Sequence, residues 1–215
     1  MNTIRILCYG DSNTWGYISG SDHERYGNKE RWTKILDELL GNKFEVIEEG
    51  LNSRTLISND TRVGKEGKNG YEYLIPCLDT HDPIDLVILM LGTNELKATY
   101  NRTAKEIGDI LEEYFIKTIL GRKSQFKNSY PKLLLMTPPL VNENTEYCKQ
   151  GSKYVGATQK SKELNDIYRE LSKKYNCYFQ SNEGLLTGID GVHLTKESHK
   201  KLAKLLETKI REIYK

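Results

Sequence analysis

The chain lacks the features that would hold it in a membrane, cross-link it or draw it to a polyanion. No apolar run approaches about 18 residues, so no membrane-spanning helix is expected. Met1-Asn2-Thr3-Ile4-Arg5 leads straight into a short apolar stretch, with neither a long apolar core nor a small-residue cleavage site behind it, so no signal peptide is expected. Cys8, Cys77, Cys148 and Cys177 are scattered without C-x-x-C spacing, which excludes a zinc ribbon or a dithiol motif. They are expected as reduced thiols, and the compartment as cytoplasmic. Neither sign of charge dominates: 32 Lys and Arg face 30 Asp and Glu, so nucleic acid is not an expected partner and neither is a membrane surface. Internal repeats and low-complexity tracts are also missing.

What is present is an ordinary globular composition, 29% charged and 37% apolar over 215 residues, suited to one domain spanning 1–215. Strand-like runs alternate with amphipathic stretches. Ile4–Tyr9 reads as a strand. Trp32–Leu40 carries one apolar helical face and stops at Gly41, where a C-cap glycine belongs. Phe44–Ile47 reads as a second strand, and Tyr71–Leu78 as a brief helix interrupted by Pro76. Leu86–Leu91 is apolar almost throughout, as a strand buried on both faces requires.

Thr103-Ala104-Lys105-Glu106 forms a capping box ahead of Ile107, Ile110, Leu111 and Tyr114. Leu133–Met136 is a further strand, Leu164 to Tyr175 a helix, and Cys177–Phe179 a short last strand. Thr195 is the expected N-cap of a lysine-rich terminal helix whose charged face is read as solvated. Segments 19–30, 59–69 and 138–158 read as loops, the last a candidate lid or oligomer contact. Alternation of strand and helix predicts an α/β fold with helices on both faces of a parallel sheet.

In such sheets chemistry gathers at the carboxyl ends of the strands. Gly10-Asp11-Ser12-Asn13 follows the first strand, and Asp190-Gly191-Val192-His193 follows the last. A serine hydroxyl needs a base to take its proton, and the base works best when a carboxylate orients it. An Asp three residues before a His on a Gly-containing turn can meet one ring nitrogen and leave the other facing outward. His23, His81 and His199 lack that company and are read as solvated or packing residues. Gly92-Thr93-Asn94-Glu95 places an amide NH₂ where it could stabilise an oxyanion, and Gly50–Thr55 could lend a backbone N–H. Taken singly, each is also ordinary turn chemistry.

Three other readings compete. A metal-dependent phosphoesterase would use Asp11, Asn94, Asp190 and His193 as ligands, but no second acidic cluster accompanies them. A nucleotide-binding module would need G-x-G-x-x-G or a phosphate loop, and neither spacing occurs; Gly64–Gly70 reads as a flexible connection. A non-catalytic binding protein on the same scaffold is the third.

In their order and combination these turns resemble the four blocks of the SGNH (GDSL-type) hydrolases, and most closely the arylesterase-like branch. Residues 10–16 (GDSNTWG), 48–55 (EEGLNSRT), 69–78 (NGYEYLIPCL), 92–95 (GTNE) and 190–193 (DGVH) carry the likeness across nearly the whole chain. The resemblance implies a three-layer α/β/α sandwich of the flavodoxin-like type, with a mostly five-stranded parallel sheet. It implies ester hydrolysis without metal or organic cofactor: Ser12 as nucleophile, His193 as base and then acid, and Asp190 orienting His193. The oxyanion hole would comprise the N–H groups of Ser12 and Ser53 and the Asn94 amide. Ser53 stands where the family usually has glycine, and its N–H serves equally provided the turn does not demand φ > 0. The expected partner is a small ester of short-chain or aryl acetyl type, with acetylated carbohydrate as the alternative; acyl transfer to alcohols and a homo-oligomer stay open. Trp15, Tyr17, Tyr147 and Tyr154 either line an apolar pocket or simply pack, and periodicity does not decide between the two.

Overall fold

The structure, a computed structural model, describes residues 3–60 and 63–215. Five strands, β1 (Ile4–Gly10), β2 (Phe44–Gly50), β3 (Leu86–Met90), β4 (Lys132–Met136) and β5 (Tyr178–Gln180), form one parallel sheet in the order β2-β1-β3-β4-β5. Alternating side chains explain why helices must cover both faces. Leu7, Tyr9, Val87, Leu89, Leu133 and Leu135 point into one core. Ile6, Cys8, Ile88, Met90, Leu134 and Met136 point into the other. Both sets are apolar, so neither face can be left to water.

The first core is closed by α3 (Gly70–Thr80), α4 (Ala104–Ile110) and α7 (Ala157–Lys174), with a π-helical stretch (Leu111–Ile116) and α5 (Lys117–Gly121) continuing α4. The second is closed by α2 (Trp32–Leu40) and α8 (Lys196–Ile213). The result is the expected α/β/α sandwich. Local signals were sound where they were strong. Thr103 and Glu106 form the capping box, Thr195 caps α8 through the Ser198 N–H, and Gly41 ends α2 at φ 73°.

Several element ends differ from the sequence reading by one residue, and α7 begins seven residues before Leu164. Two further departures have a clear physical cause. Pro76 does not interrupt α3, which runs on to Thr80. Pro76 is exposed and forfeits one helix hydrogen bond, while Leu74, Cys77 and Leu78 hold the helix by burial. β2 extends three residues past Ile47 because Glu48 and Glu49 find partners far away in sequence. Arg31 donates to Glu48 at 2.7 and 2.9 Å, and His81 Nε2 lies 2.8 Å from Glu49 Oε1. Among the segments read as loops, 138–158 contains α6 (Glu146–Lys149) and a 3-10 turn (Gln150–Ser152), while 61–62 of the 59–69 loop lie outside the described residues.

Candidate active site

β1 lies between β2 and β3, so the chain departs to opposite sides around its carboxyl end and leaves a crevice there. Four turns meet at that crevice. The first begins at Asp11, whose Oδ1 accepts from Asn13 N at 2.9 Å and caps α1 (Ser12–Trp15). Ser12 is therefore the first residue of a helix turn, held in place by its backbone. It is 6% exposed, enough for its hydroxyl to reach the cavity in front of it.

Ser12 Oγ lies 2.9 Å from His193 Nε2, and His193 Nδ1 lies 2.7 Å from Asp190 Oδ2. Asp190 also binds its own loop: Oδ1 accepts from Val192 N and His193 N, both at 2.9 Å. Burial by itself would raise the Asp190 pKa, but the His193 hydrogen bond and charge and these two N–H groups pull it well below the usual carboxylate range. An ionised Asp190 can only accept, so Nδ1 is the protonated nitrogen and Nε2 is left to accept from the Ser12 hydroxyl.

The loop behind this pair is closely built. Gly191 stands at φ 72°, and a Cβ there would lie 2.3 Å from the Asn142 carbonyl, so only glycine fits. Asn142 N donates to Gly191 O at 2.8 Å and Thr145 Oγ1 to Asp190 O at 3.0 Å. The 138–158 segment thus backs the Asp190 loop. Tyr17 stacks on His193 from the other side, centroids 4.4 Å apart and rings inclined by 29°.

Several positioning residues had no role in the sequence reading. Asn13 donates through Nδ2 to Val192 O at 3.3 Å and accepts at Oδ1 from Leu194 N at 2.9 Å, which joins the Ser12 and His193 turns directly. Its place beside Ser12 was visible, but its partners lie some 180 residues away. Arg54 is buried, donates to the carbonyls of Gly10 (2.9 Å) and Glu49, and covers the Tyr9 ring at 4.2 Å. It ties the ends of β1 and β2 together.

Asn94 lies beside Ser12 on the cavity wall. Its Nδ2 donates to Arg54 O at 2.9 Å, and its Oδ1 accepts from Lys97 Nζ at 2.7 Å. One amide N–H is thereby spent on aiming the group, and the second is left for a ligand. Ser53 lines the same wall, and among the described residues neither its N–H nor that of Ser12 has an acceptor.

Ser53 adopts φ 65°, so the condition under which serine would serve as well as glycine is not met. The N–H is retained, but a Cβ in the left-handed region costs about 1–2 kcal/mol. Replacing it by glycine relieves that strain while adding about 0.5–1 kcal/mol of unfolded-state entropy. Ser53→Gly is therefore expected to raise stability by a fraction of a kcal/mol to about 1 kcal/mol, read as a higher denaturation midpoint in urea. An unchanged or lowered midpoint would refute the strain.

Glu95 is fully buried, and its Oε1 accepts from Leu56 N, fastening the 92–95 turn to the 50–55 turn. Among the described residues its Oε2 has no partner. Burial pushes the carboxyl up to about 7 against the opposing pull of Leu56 N–H and Arg102. A carboxyl raised in the folded state contributes stability that is complete below its unfolded pKa and is lost as pH rises through about 7. Between about pH 5 and pH 9 the wild type should lose on the order of 2–3 kcal/mol more than Glu95→Gln, which keeps the acceptor. Parallel pH profiles in chemical denaturation would remove this account of Glu95.

The other histidines divide. His199 is buried: Nδ1 accepts from Trp32 N at 3.2 Å, and burial lowers its pKa to about 3, as expected of a neutral packing residue. His23 is exposed, meets Tyr17 edge-on and reaches the cavity rim. His81 departs from the reading given above, because it does have a carboxylate partner in Glu49. With Cys77 these make up a group whose ligand atoms lie within 4.8 Å of one another, and none of the three lines the cavity. By contrast Asp190 and His193, two ligands of the rival phosphoesterase reading, are turned on each other.

The cavity measures about 1010 Å³. Trp15, Tyr17, Tyr147 and Tyr154 all line it, one of the two roles the sequence left open. So do Lys65 and Lys68, so the 64–70 stretch is more than a connection. Thr55 N donates to Lys68 O at 2.9 Å, and Asn69 caps α3.

The sequence profile of the GDSL-like lipase/acylhydrolase family matches residues 6–206. The chain belongs to this family. It is a carboxylic-ester hydrolase. Among solved structures it is similar to the aryl esterase of M. smegmatis, at 35% identity and TM-score 0.88, with 98% of this chain and 99% of that one covered. A carbohydrate acetylesterase from Sinorhizobium meliloti is 32% identical with TM-score 0.88, over 98% of this chain and 100% of the other. A putative arylesterase from Agrobacterium tumefaciens is 27% identical with TM-score 0.86, over 98% and 100%. No curated protein matches the chain. None of the helices among the described residues is long and apolar enough to cross a membrane.

Proposed function

We propose that this hydrolase is a serine esterase for short-chain or aryl acyl esters, working through Ser12, His193 and Asp190 and a covalent acyl-enzyme. The observation that carries this reading is the unbroken relay from Asp190 Oδ2 through both nitrogens of His193 to Ser12 Oγ, at 2.7 and 2.9 Å, opening on the cavity. Ser12 Oγ attacks the ester carbonyl while His193 Nε2 takes its proton. The oxyanion is held by the Ser12 and Ser53 N–H groups and the free Asn94 N–H. The intermediate collapses, and the departing alkoxide takes the proton back from His193, leaving acyl-Ser12. Water then attacks with His193 again as base, and collapse releases the carboxylic acid and restores the Ser12 hydroxyl. An alcohol in place of water gives acyl transfer by the same steps. Ionised Asp190 stabilises the imidazolium formed in each half-reaction.

Deacetylation of carbohydrate is the second reading. It is favoured by a cavity larger than an acetyl group needs, with aromatic side chains beside hydroxyl and amide groups. No nucleic-acid or membrane partner is proposed.

An aryl phosphonate ester tests the mechanism, because it is attacked like an ester but stops at the covalent stage. One equivalent should inactivate the enzyme, release one equivalent of the phenol, leave the phosphonyl group's mass on the chain and map to Ser12, with EDTA making no difference. Activity on acyl esters should fall with chain length. Stoichiometric labelling elsewhere, or chelator-sensitive turnover, would overturn the proposal.

A further inference from the structure

The cavity in front of Ser12 carries four lysines, Lys65, Lys68, Lys97 and Lys153, against one aspartate, Asp60. They do not belong to one solvated helix face. Lys65 and Lys68 come from the loop before α3, Lys97 from the turn after β3, and Lys153 from the segment after α6. Ala98 N donates to Lys153 O at 2.7 Å, which joins two of these segments across the rim. Lys65, Lys68 and Lys97 are half-buried. Burial, then the like charges of Lys65 and Arg54, lower the Lys68 pKa. Two further anions act on these lysines from outside the cavity lining, exposed Glu66 on Lys68 and buried Asp11 on Lys97. Asp190 lies behind His193 and is saturated by that ring and by backbone N–H groups.

Cations gathered in a concave site with protein walls focus a positive potential into it. Their mutual repulsion is relieved by an anion, and a neutral acetyl ester supplies none at rest. The aromatic walls at Trp15, Tyr17 and Tyr147 suit a ring that carries that anion, and Lys153 lies over the Tyr147 ring at 4.7 Å.

We infer that the preferred substrates of this esterase are esters whose non-reacting end bears a carboxylate or comparable anion, held by Lys65, Lys68 and Lys153 while the ester carbonyl meets Ser12. The inference rests on the serine-esterase reading above. Lys97 is kept apart from the test, since it also orients Asn94.

Two matched pairs separate the anion on the alcohol side from the anion on the acyl side. One is 4-acetoxybenzoate and its methyl ester; the other is phenyl hemisuccinate and its methyl ester. Each rate is divided by the spontaneous hydroxide rate of the same compound. In at least one pair the anionic member should show kcat/KM higher by about tenfold at low ionic strength, with the advantage falling in about 0.5 M sodium chloride. The triple variant Lys65→Gln/Lys68→Gln/Lys153→Gln should lose the ratio, and the triple Arg variant should keep it. The ratio within one variant is the readout, so a general loss of activity does not imitate the effect.

Neutral members reacting as fast as or faster than both anions, or a preference that survives the Gln variant, would overturn the inference. Hydrolysis of the neutral esters by Ser12→Ala would instead overturn the reading beneath it.

Discussion

Ser12→Ala and His193→Ala should each lower kcat on a neutral aryl acetate by about 10⁴- to 10⁶-fold, and the double variant should fall no further. Ser12 Oγ and His193 Nε2 share one hydrogen bond at 2.9 Å and act on one proton. Without the hydroxyl no acyl-enzyme can form, and without the imidazole the hydroxyl keeps its proton at neutral pH. Either loss leaves the Ser12, Ser53 and Asn94 donors in place, so some catalysis over water persists, on the order of 10³-fold. Both variants should stay folded, since Asn13 joins the two turns by bonds that neither substitution removes. Initial rates with thermal melts on the same preparations measure this. Losses that multiply in the double variant would mean the two groups act on separate steps.

Asp190→Asn should cost about 10⁴ in kcat while leaving the fold nearly unchanged. The amide oxygen can go on accepting from Val192 N and His193 N, which hold the loop. Its NH₂ then faces Nδ1 and donates to it. That places the imidazole proton on Nε2, the nitrogen that must be bare to receive the Ser12 proton. Steady-state kinetics against a urea denaturation curve distinguish this from loop collapse: a loss in kcat with an unchanged midpoint is expected. Near wild-type kcat would show that Asp190 has no orienting role. Asp190→Ala, which also abandons the two backbone N–H groups, should in addition lose stability.

Where the sequence reading fell short, the missing information was a partner remote in the chain. The apolar pattern of β2 ends at Ile47, but the strand runs on to Gly50. Glu48 and Glu49 stay in the strand because Arg31 and His81 hydrogen-bond them from 17 and 32 residues away. The Glu49 partner of His81 is hidden from the sequence for the same reason. α3 was broken at Pro76 because a proline removes a helix bond locally, whereas burial of Leu74, Cys77 and Leu78 outweighs that loss. Ser53 is different in kind. Its N–H is available whatever the residue, but its φ is set by how β2 must turn back beneath Asn94, which no side-chain pattern records.

The sequence by itself determined the layer order, since alternating apolar runs oblige both faces of the sheet to be covered. It also determined the caps of α4 and α8 and the four polar turns that close on one crevice. These are local properties, carried by periods of 2.0 and 3.6 residues and by turn chemistry within a few positions. Only the tertiary structure decided that Asn13 joins the first turn to the last, that Arg54 ties the first to the second and Glu95 the second to the third, and that lysines from three segments face one cavity. Those depend on contacts between residues tens to nearly two hundred positions apart, which packing alone brings within hydrogen-bonding reach.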